Sequence, residues 1–121
     1  MPKKILVVDD EPNVLRILVA RLSADNYNVI TASDGILAVE KAQQEKPDLI
    51  LLDIRMPAGD GTMVFENLKI LESTKSIPVI FMTANPSEDI RQYVIEMGAR
   101  DFIIKPFDAN DLLMKIQKAL L

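Results

Sequence analysis

The sequence predicts an α/β fold whose parallel strands are covered by helices on both faces. Three observations carry this. Leu49-Ile50-Leu51-Leu52 is an unbroken apolar run that stops on Asp53, and Lys4-Ile5-Leu6-Val7-Val8, Val79-Ile80-Phe81-Met82 and Phe102-Ile103-Ile104 behave alike. Apolar runs without alternation are strands buried on both faces, as parallel sheets require. Between these runs, apolar residues recur at helical spacing, and the connections are only a few residues long. Strands alternating with helices at that pitch form parallel crossovers.

Each element has a local reason. The first strand, Lys4 to Val8, ends in Asp9-Asp10-Glu11-Pro12. Pro12 suits the first turn of a helix, and Asp10 and Glu11 suit its positive end. Val14, Ile17, Leu18 and Leu22 predict that helix, and Asp25-Asn26-Tyr27-Asn28 breaks it. Val29 to Ala32 is a short second strand. Ser33-Asp34-Gly35 is a turn and cap before a helix over Leu37–Glu45, with Ala38, Val39 and Ala42 inward. Lys46-Pro47-Asp48 leads into the third strand. That strand closes on Asp53-Ile54-Arg55-Met56-Pro57, because proline cannot continue a central strand. Gly59 and Gly61 supply the turn.

Val64, Leu68 and Leu71 mark a third helix, and Ser76-Ile77-Pro78 ends its segment. The fourth strand stops on Thr83-Ala84-Asn85-Pro86. Ser87, followed by Glu88 and Asp89, has the form of an N-cap with an acidic first turn. Ile90, Val94 and Met97 form the inner stripe of that helix, and Gly98 is its C′ residue. The fifth strand ends at Lys105-Pro106. Asp108 or Asn110 opens a last helix with Leu112, Leu113, Ile116 and Leu120 inward.

Composition narrows the function. The chain has 121 residues, 49% of them hydrophobic, which suits one domain over 1–121 with a real core. A net charge of -4 argues against a nucleic-acid surface. There is no Cys and no His, which excludes thiolate chemistry, zinc fingers and a histidine base. No apolar stretch approaches the ~20 residues of a membrane span, and the N-terminal run meets Asp9 too soon for a signal peptide. A cytoplasmic protein is expected.

Four strand ends carry polar groups: Asp9 and Asp10, Asp53, Thr83, and Lys105. In a parallel sheet these ends share one edge, where ligands of open α/β folds bind. Clustered carboxylates repel unless a cation sits among them. An all-oxygen set suits Mg2+ or Mn2+. The hydroxyl and ammonium suit an incoming anion, and carboxylates accept phosphoryl groups. Singly each residue has a plain reading: a helix cap, a turn threonine, a solvated lysine. Their joint placement favours a phosphoryl group on Asp53.

The set Asp9-Asp10, Asp53 with Met56-Pro57 and Gly61, Thr83-Ala84 and Lys105-Pro106-Phe107 resembles the receiver domain of bacterial two-component response regulators. The resemblance spans essentially the whole chain. It implies a flavodoxin-like doubly wound five-stranded parallel sheet, order 2-1-3-4-5, with five helices. It implies that Asp53 takes a phosphoryl group from a sensor histidine kinase or histidine phosphotransfer protein. Asp10 and Asp53 would ligate Mg2+ directly, Asp9 largely through water, and the Arg55 carbonyl would complete the set. Thr83 and the Ala84 N–H would bind phosphoryl oxygens, and Lys105 would pair with them. The Lys105-Pro106 bond is expected cis. Thr83 and Phe102 occupy the switch positions; a phenylalanine there has no hydroxyl to anchor an inward rotamer, and its plain reading is a core or edge aromatic. In that family the side chains at the positions of Arg55 and Asn85 flank the path of the attacking water, and these two residues depart from the commonest pattern, which leaves the phosphoryl lifetime open.

Such a chain is a self-modifying phosphoacceptor rather than a turnover enzyme. Haloacid-dehalogenase-type phosphatases also use an Asp nucleophile, but they want a second Asp where Glu11 stands. A flavodoxin would carry a Ser/Thr-Gly phosphate loop after the first strand. An unphosphorylated scaffold is favoured by no missing residue. Ending at Leu121, the chain is either a stand-alone receiver or one cut from an effector. Arg91, Asp101, Asp111 and Lys115 resemble the positions through which winged-helix response regulators dimerise. A weak phosphorylation-dependent homodimer is one expectation, and an intrahelical Asp111–Lys115 pair the plainer one.

Overall fold

The structure, a computed structural model, describes residues 2–55, 61–84 and 88–121, with residues 88–90 in backbone only. Five strands alternate with five helices: β1 (Lys4–Val8), α1 (Pro12–Ala24), β2 (Asn28–Ala32), α2 (Gly35–Glu45), β3 (Leu49–Asp53), α3 (Gly61–Ile70), β4 (Val79–Thr83), α4 (Glu88–Glu96), β5 (Asp101–Ile104) and α5 (Ala109–Ala119). The sheet is parallel with strand order 2-1-3-4-5. This is the doubly wound flavodoxin-like order.

Alternate residues of each strand feed opposite faces, as the period of two demands. Leu6, Val8, Ile50, Leu52, Phe81 and Phe102 pack with residues of α2, α3 and α4. Ile5, Val7, Leu49, Leu51, Ile80 and Ile103 pack with α1 and α5. β1, β3 and β4 lie inside the sheet, so every residue from Leu49 to Asp53 and from Val79 to Thr83 is buried. Phe65 of α3 meets Phe81 edge-on, centroids 5.2 Å apart.

Local chemistry sets the boundaries. Asp34 caps α2, its carboxylate accepting from the Leu37 N–H at 2.8 Å. The helix therefore starts at Gly35 rather than Leu37, because an N-cap recruits the residues just after it. Asp108, not Asn110, caps α5. At the end of α4, Gly98 adopts φ 104°; its N–H reaches the Ile95 carbonyl and the Ala99 N–H reaches Val94. These two bonds form the Schellman closure that a left-handed glycine permits. Ser87 and the Ile90 side chain lie outside the described residues.

Three expectations shift. Ile17 follows helical spacing yet is 60% exposed, because α1 packs on the sheet through Leu18 and Leu22, with Val14 and Leu15 at the margin, and Ile17 falls outside that stripe. Leu71 falls one residue past α3 and is half-buried; Phe65, fully buried, fills the place beside Val64 and Leu68. Gly61 is more than a flexible turn residue. Its N–H donates to the Ile54 carbonyl at 2.7 Å, and a Cβ there would run into the Asp53 carbonyl oxygen and stand 2.9 Å from Ile54 Cα. Gly59 and Met56-Pro57 lie outside the described residues.

Candidate functional site

The sheet ladder runs one residue past three strand ends. The Asp9 N–H donates to Ala32 O at 3.2 Å, the Ile54 N–H to Met82 O at 3.0 Å, and the Lys105 N–H to Thr83 O at 2.7 Å. Parallel pairing thus carries Asp9, Asp53 and Lys105 to one edge on rigid backbone. Asp9 and Asp53 are buried, Asp10 half-buried. One carboxylate oxygen from each of Asp9, Asp10 and Asp53 lies within 4.8 Å of the others.

Lys105 enters this cluster from the end of β5. Its Nζ stands 2.6 Å from Asp9 Oδ2, 3.5 Å from Asp53 Oδ2 and 4.0 Å from Glu11 Oε1. The sequence places Lys105 toward an incoming anion; in the described residues its nearest partner is Asp9, because a buried carboxylate needs a counter-charge. Asp9 Oδ1 also accepts from the Glu11 N–H at 3.0 Å, so both of its oxygens are engaged. Asp53 Oδ1 accepts from the Arg55 N–H at 3.3 Å. Among the described residues no donor reaches the Asp10 carboxylate. Glu11, read from the sequence as a helix-end acid, occupies the N-cap of α1 without a side-chain cap bond and faces Lys105 instead. Its adjacency to Asp10 was the available signal.

Electrostatics follow from this packing. Burial pushes the Asp53 carboxyl up to about 6, and the Asp9 charge adds to it; Lys105 and the Arg55 N–H pull it back, and Asp10 pushes it up further. For Lys105, burial alone favours the neutral amine. The Asp9 hydrogen bond and the charges of Asp53, Asp9 and Glu11 outweigh it, so its pKa is raised.

Three carboxylates this close fit a small hard cation. Octahedral Mg2+ holds oxygens at about 2.0–2.1 Å, so opposite ligands are roughly 4 Å apart. Adjacent octahedral positions are roughly 3 Å apart, so three carboxylate oxygens within 4.8 Å of one another draw together around such an ion. With Asp9 already accepting twice, Asp10 and Asp53 have the freer oxygens.

The remaining predicted residues lie around this cluster or beside it. Thr83 ends β4 and is buried; Ala84 follows it and is exposed. Ala84, Lys105 and Pro106 share a recess of about 420 Å3 with Glu11, Val14, Ile17 and Phe107. The Lys105-Pro106 peptide bond is cis. Asn85 is outside the described residues. Phe102 is buried, 5% exposed, with the Arg91 guanidinium 5.7 Å above its ring. The four charges of the α4–β5–α5 face are engaged within the chain. Arg91 covers Phe102, the Asp101 carboxylate accepts from the Phe102 N–H at 2.8 Å, and Lys115 donates to the Phe102 carbonyl at 2.9 Å. Lys115 also pairs with Asp111 at 3.2 Å, the intrahelical contact expected from their spacing. Among the described residues, no helix is long and apolar enough to cross a membrane.

Known proteins share this fold. The model of the response regulator receiver domain family matches residues 5–117. The alkaline phosphatase synthesis transcriptional regulatory protein PhoP of Bacillus subtilis (strain 168) is 41% identical over 120 residues, 99% of this chain and 49% of that protein. The response regulator PleD of Caulobacter vibrioides is 42% identical over 117 residues, 97% of this chain and 26% of that protein. The chain thus spans about half the length of these curated relatives, or less. Among solved structures, a chemotaxis protein of Vibrio cholerae superposes with TM-score 0.94 at 30% identity, covering 99% of this chain and 100% of that one. The receiver domain of a sensor histidine kinase of Pseudomonas aeruginosa PAO1 superposes with TM-score 0.91 at 31% identity, covering 99% and 98%; that protein has a magnesium ion coordinated in its active site cleft.

Proposed function

This chain belongs to the response regulator receiver domain family, and from that premise we propose that it is a phosphorylation-controlled switch in which Asp53 accepts the phosphoryl group. The observation that carries this is the convergence of Asp9, Asp10 and Asp53 with Lys105 Nζ, 3.5 Å from Asp53, at one sheet edge. Residues 1–121 are then one receiver domain, and the protein is cytoplasmic.

An Asp53 oxygen attacks the phosphorus of a phosphohistidine on a sensor histidine kinase or phosphotransfer protein. The O–P bond forms as the P–N bond breaks, and the departing imidazole takes up a proton. With its carboxyl near 6, Asp53 is mostly ionised at neutral pH and ready as a nucleophile. Mg2+, or Mn2+ in its place, supplies positive charge that offsets the phosphoryl oxygens. Asp10, Asp53 and the Arg55 carbonyl would hold it, with Asp9 acting largely through water. Lys105 turns from Asp9 to the phosphoryl oxygens, which the Thr83 hydroxyl and Ala84 N–H also bind. The chain modifies itself and is no turnover enzyme.

Output follows from the same contacts. Binding of phosphoryl oxygens by Thr83 and Lys105 shifts the balance between two conformers, with Phe102 repacking on the α4–β5–α5 face. That face then controls an effector or a second copy. Incubation with Mg2+ and acetyl phosphate should place a phosphoryl group on Asp53 alone, and Asp53→Asn should abolish that phosphoryl label. Labelling of that variant at the wild-type level would refute the assignment.

A further inference from the structure

A groove of about 520 Å3 runs between the outer sides of α2 and α3. Ile36, Val39, Glu40 and Gln43 line it from α2 at i, i+3, i+4 and i+7, and Met63 and Ile70 line it from α3 at i and i+7. Ile36 and Ile70 are each 78% exposed, and Met63 is 57% exposed. The core does not need these three side chains, because Ala38, Ala42, Val64 and Leu68 already seal the inner sides of both helices. Large apolar side chains gathered along one groove mark a binding surface, where scattered ones would not. Charge identifies the occupant. Glu40 is the one ionised residue among the described lining. Its carboxylate accepts only from the Gln44 amide, at 3.4 Å, and among the described residues no Lys or Arg nitrogen lies within 4.0 Å. Elsewhere on the surface Asp25, Glu45, Glu72 and Asp111 each pair with a cation at 3.8 Å or less. A second copy of the chain fits poorly here. A two-fold contact through this groove would set both Glu40 carboxylates in one apolar seam, and each copy carries a net charge of -4.

We propose that this groove seats a basic amphipathic helix of a partner protein, with its apolar stripe between α2 and α3 and a lysine or arginine against Glu40. A helix laid in a groove is held by apolar anchors at i, i+3, i+4 and i+7, and Ile36, Met63 and Ile70 give such anchors an apolar wall on each side. One carboxylate flanked by apolar surface then sets the register, since the helix gains most when its cation reaches Glu40. The negative charge of the whole chain steers a basic partner toward it. The groove shares no residue with the acidic edge or with the α4–β5–α5 face, so its occupation needs no phosphoryl group on Asp53.

The probe is a synthetic leucine–lysine peptide about 18 residues long, roughly five turns of helix, with its leucines on one stripe. A twin peptide carries glutamate in place of every lysine. Each is titrated into the isotope-labelled full chain and followed by amide NMR. The lysine peptide should shift the amides of α2 and α3, and the glutamate twin should bind severalfold more weakly. Ile36→Gln with Ile70→Gln should weaken binding about tenfold. Glu40→Gln should weaken it severalfold and flatten its salt dependence. All three positions are exposed, so the variants keep the fold, and their amide spectra check this. Asp53→Asn should bind as wild type does, which separates the groove from the phosphoacceptor reading. Shifts confined to the acidic edge, or binding unmoved by the Ile36→Gln, Ile70→Gln and Glu40→Gln changes, would overturn the proposal. So would sedimentation showing wild-type self-association that Ile70→Gln abolishes, which would give the groove to a second copy.

Discussion

Lys105 Nζ sits 2.6 Å from Asp9 Oδ2, a contact between residues 96 positions apart that closes the sheet edge. Asp9 is fully buried and Lys105 is 12% exposed at its side chain. The pair is therefore a matched burial rather than a surface bridge. Lys105→Met should leave Asp9 charged and uncompensated, at a cost of about 3 kcal/mol, near the low end for a broken buried pair. Urea unfolding without metal measures this. An unchanged midpoint would show that water compensates Asp9 as well as the lysine does.

A pH dependence follows from Asp53. Its carboxyl is raised to about 6 from 3.8, so the folded chain holds this proton more tightly than the unfolded chain does. The resulting stabilisation is fully present below about pH 4 and is lost as pH rises through about 6. A shift of roughly two units is worth at most about 3 kcal/mol. In metal-free buffer, Asp53→Asn should match wild type near pH 4 and exceed it in stability by pH 7. A variant that unfolds more easily than wild type at pH 7 would refute the repulsion argument.

Metal should reverse that loss. The unfolded chain disperses Asp9, Asp10 and Asp53, so Mg2+ binds the folded state selectively. At about ten times its Kd it adds ~1.4 kcal/mol, a rise of several degrees in Tm. EDTA should remove the gain, and Asp10→Ala should abolish most of it. Calorimetric scans with and without Mg2+ check both.

Gly61→Ala tests the close approach of α3 to the end of β3. The new methyl meets the backbone of Asp53 and Ile54, which cannot rotate away. Overpacking of this kind costs about 1–3 kcal/mol, and the shift it forces displaces Asp53 itself. Both stability and the rate of phosphoryl acceptance should fall. Loss of stability with an unaltered rate would mean that the helix, not the acceptor, gives way.

The weak dimer that the sequence suggests has a competing partner within each chain. Arg91 already covers Phe102, and Lys115 already holds Asp111 and the Phe102 carbonyl. Exposed pairs are worth ~0–1 kcal/mol and weaken in salt, so exchange across an interface needs the activated state. Sedimentation of the beryllofluoride form should show a dimer at low salt that loosens at high salt. A monomer under both conditions would assign these four charges to internal roles.

Much of the architecture was legible because its causes are local. Unbroken apolar runs marked β1, β3 and β4, since strands buried on both faces leave no room for alternation. Asp34, Asp108 and Gly98 announced helix ends because a cap acts within a few residues of itself. Placing Asp9, Asp10, Asp53, Thr83 and Lys105 on one edge needed only parallel strands of similar length. Ile17 shows the limit. Periodicity records which residues share a helix face, not how far a neighbouring sheet extends beneath it.

Sequence chemistry alone determined the alternating order, a parallel sheet covered on both faces and the acidic edge, because each follows from periodicity and from where apolar runs stop; the doubly wound 2-1-3-4-5 order came from the family resemblance. Tertiary packing alone decided that Lys105 rests on Asp9, that Gly61 must lack a side chain and that Arg91 covers Phe102. A charge selects its partner by distance and local dielectric, and the spacing of letters along a chain encodes neither.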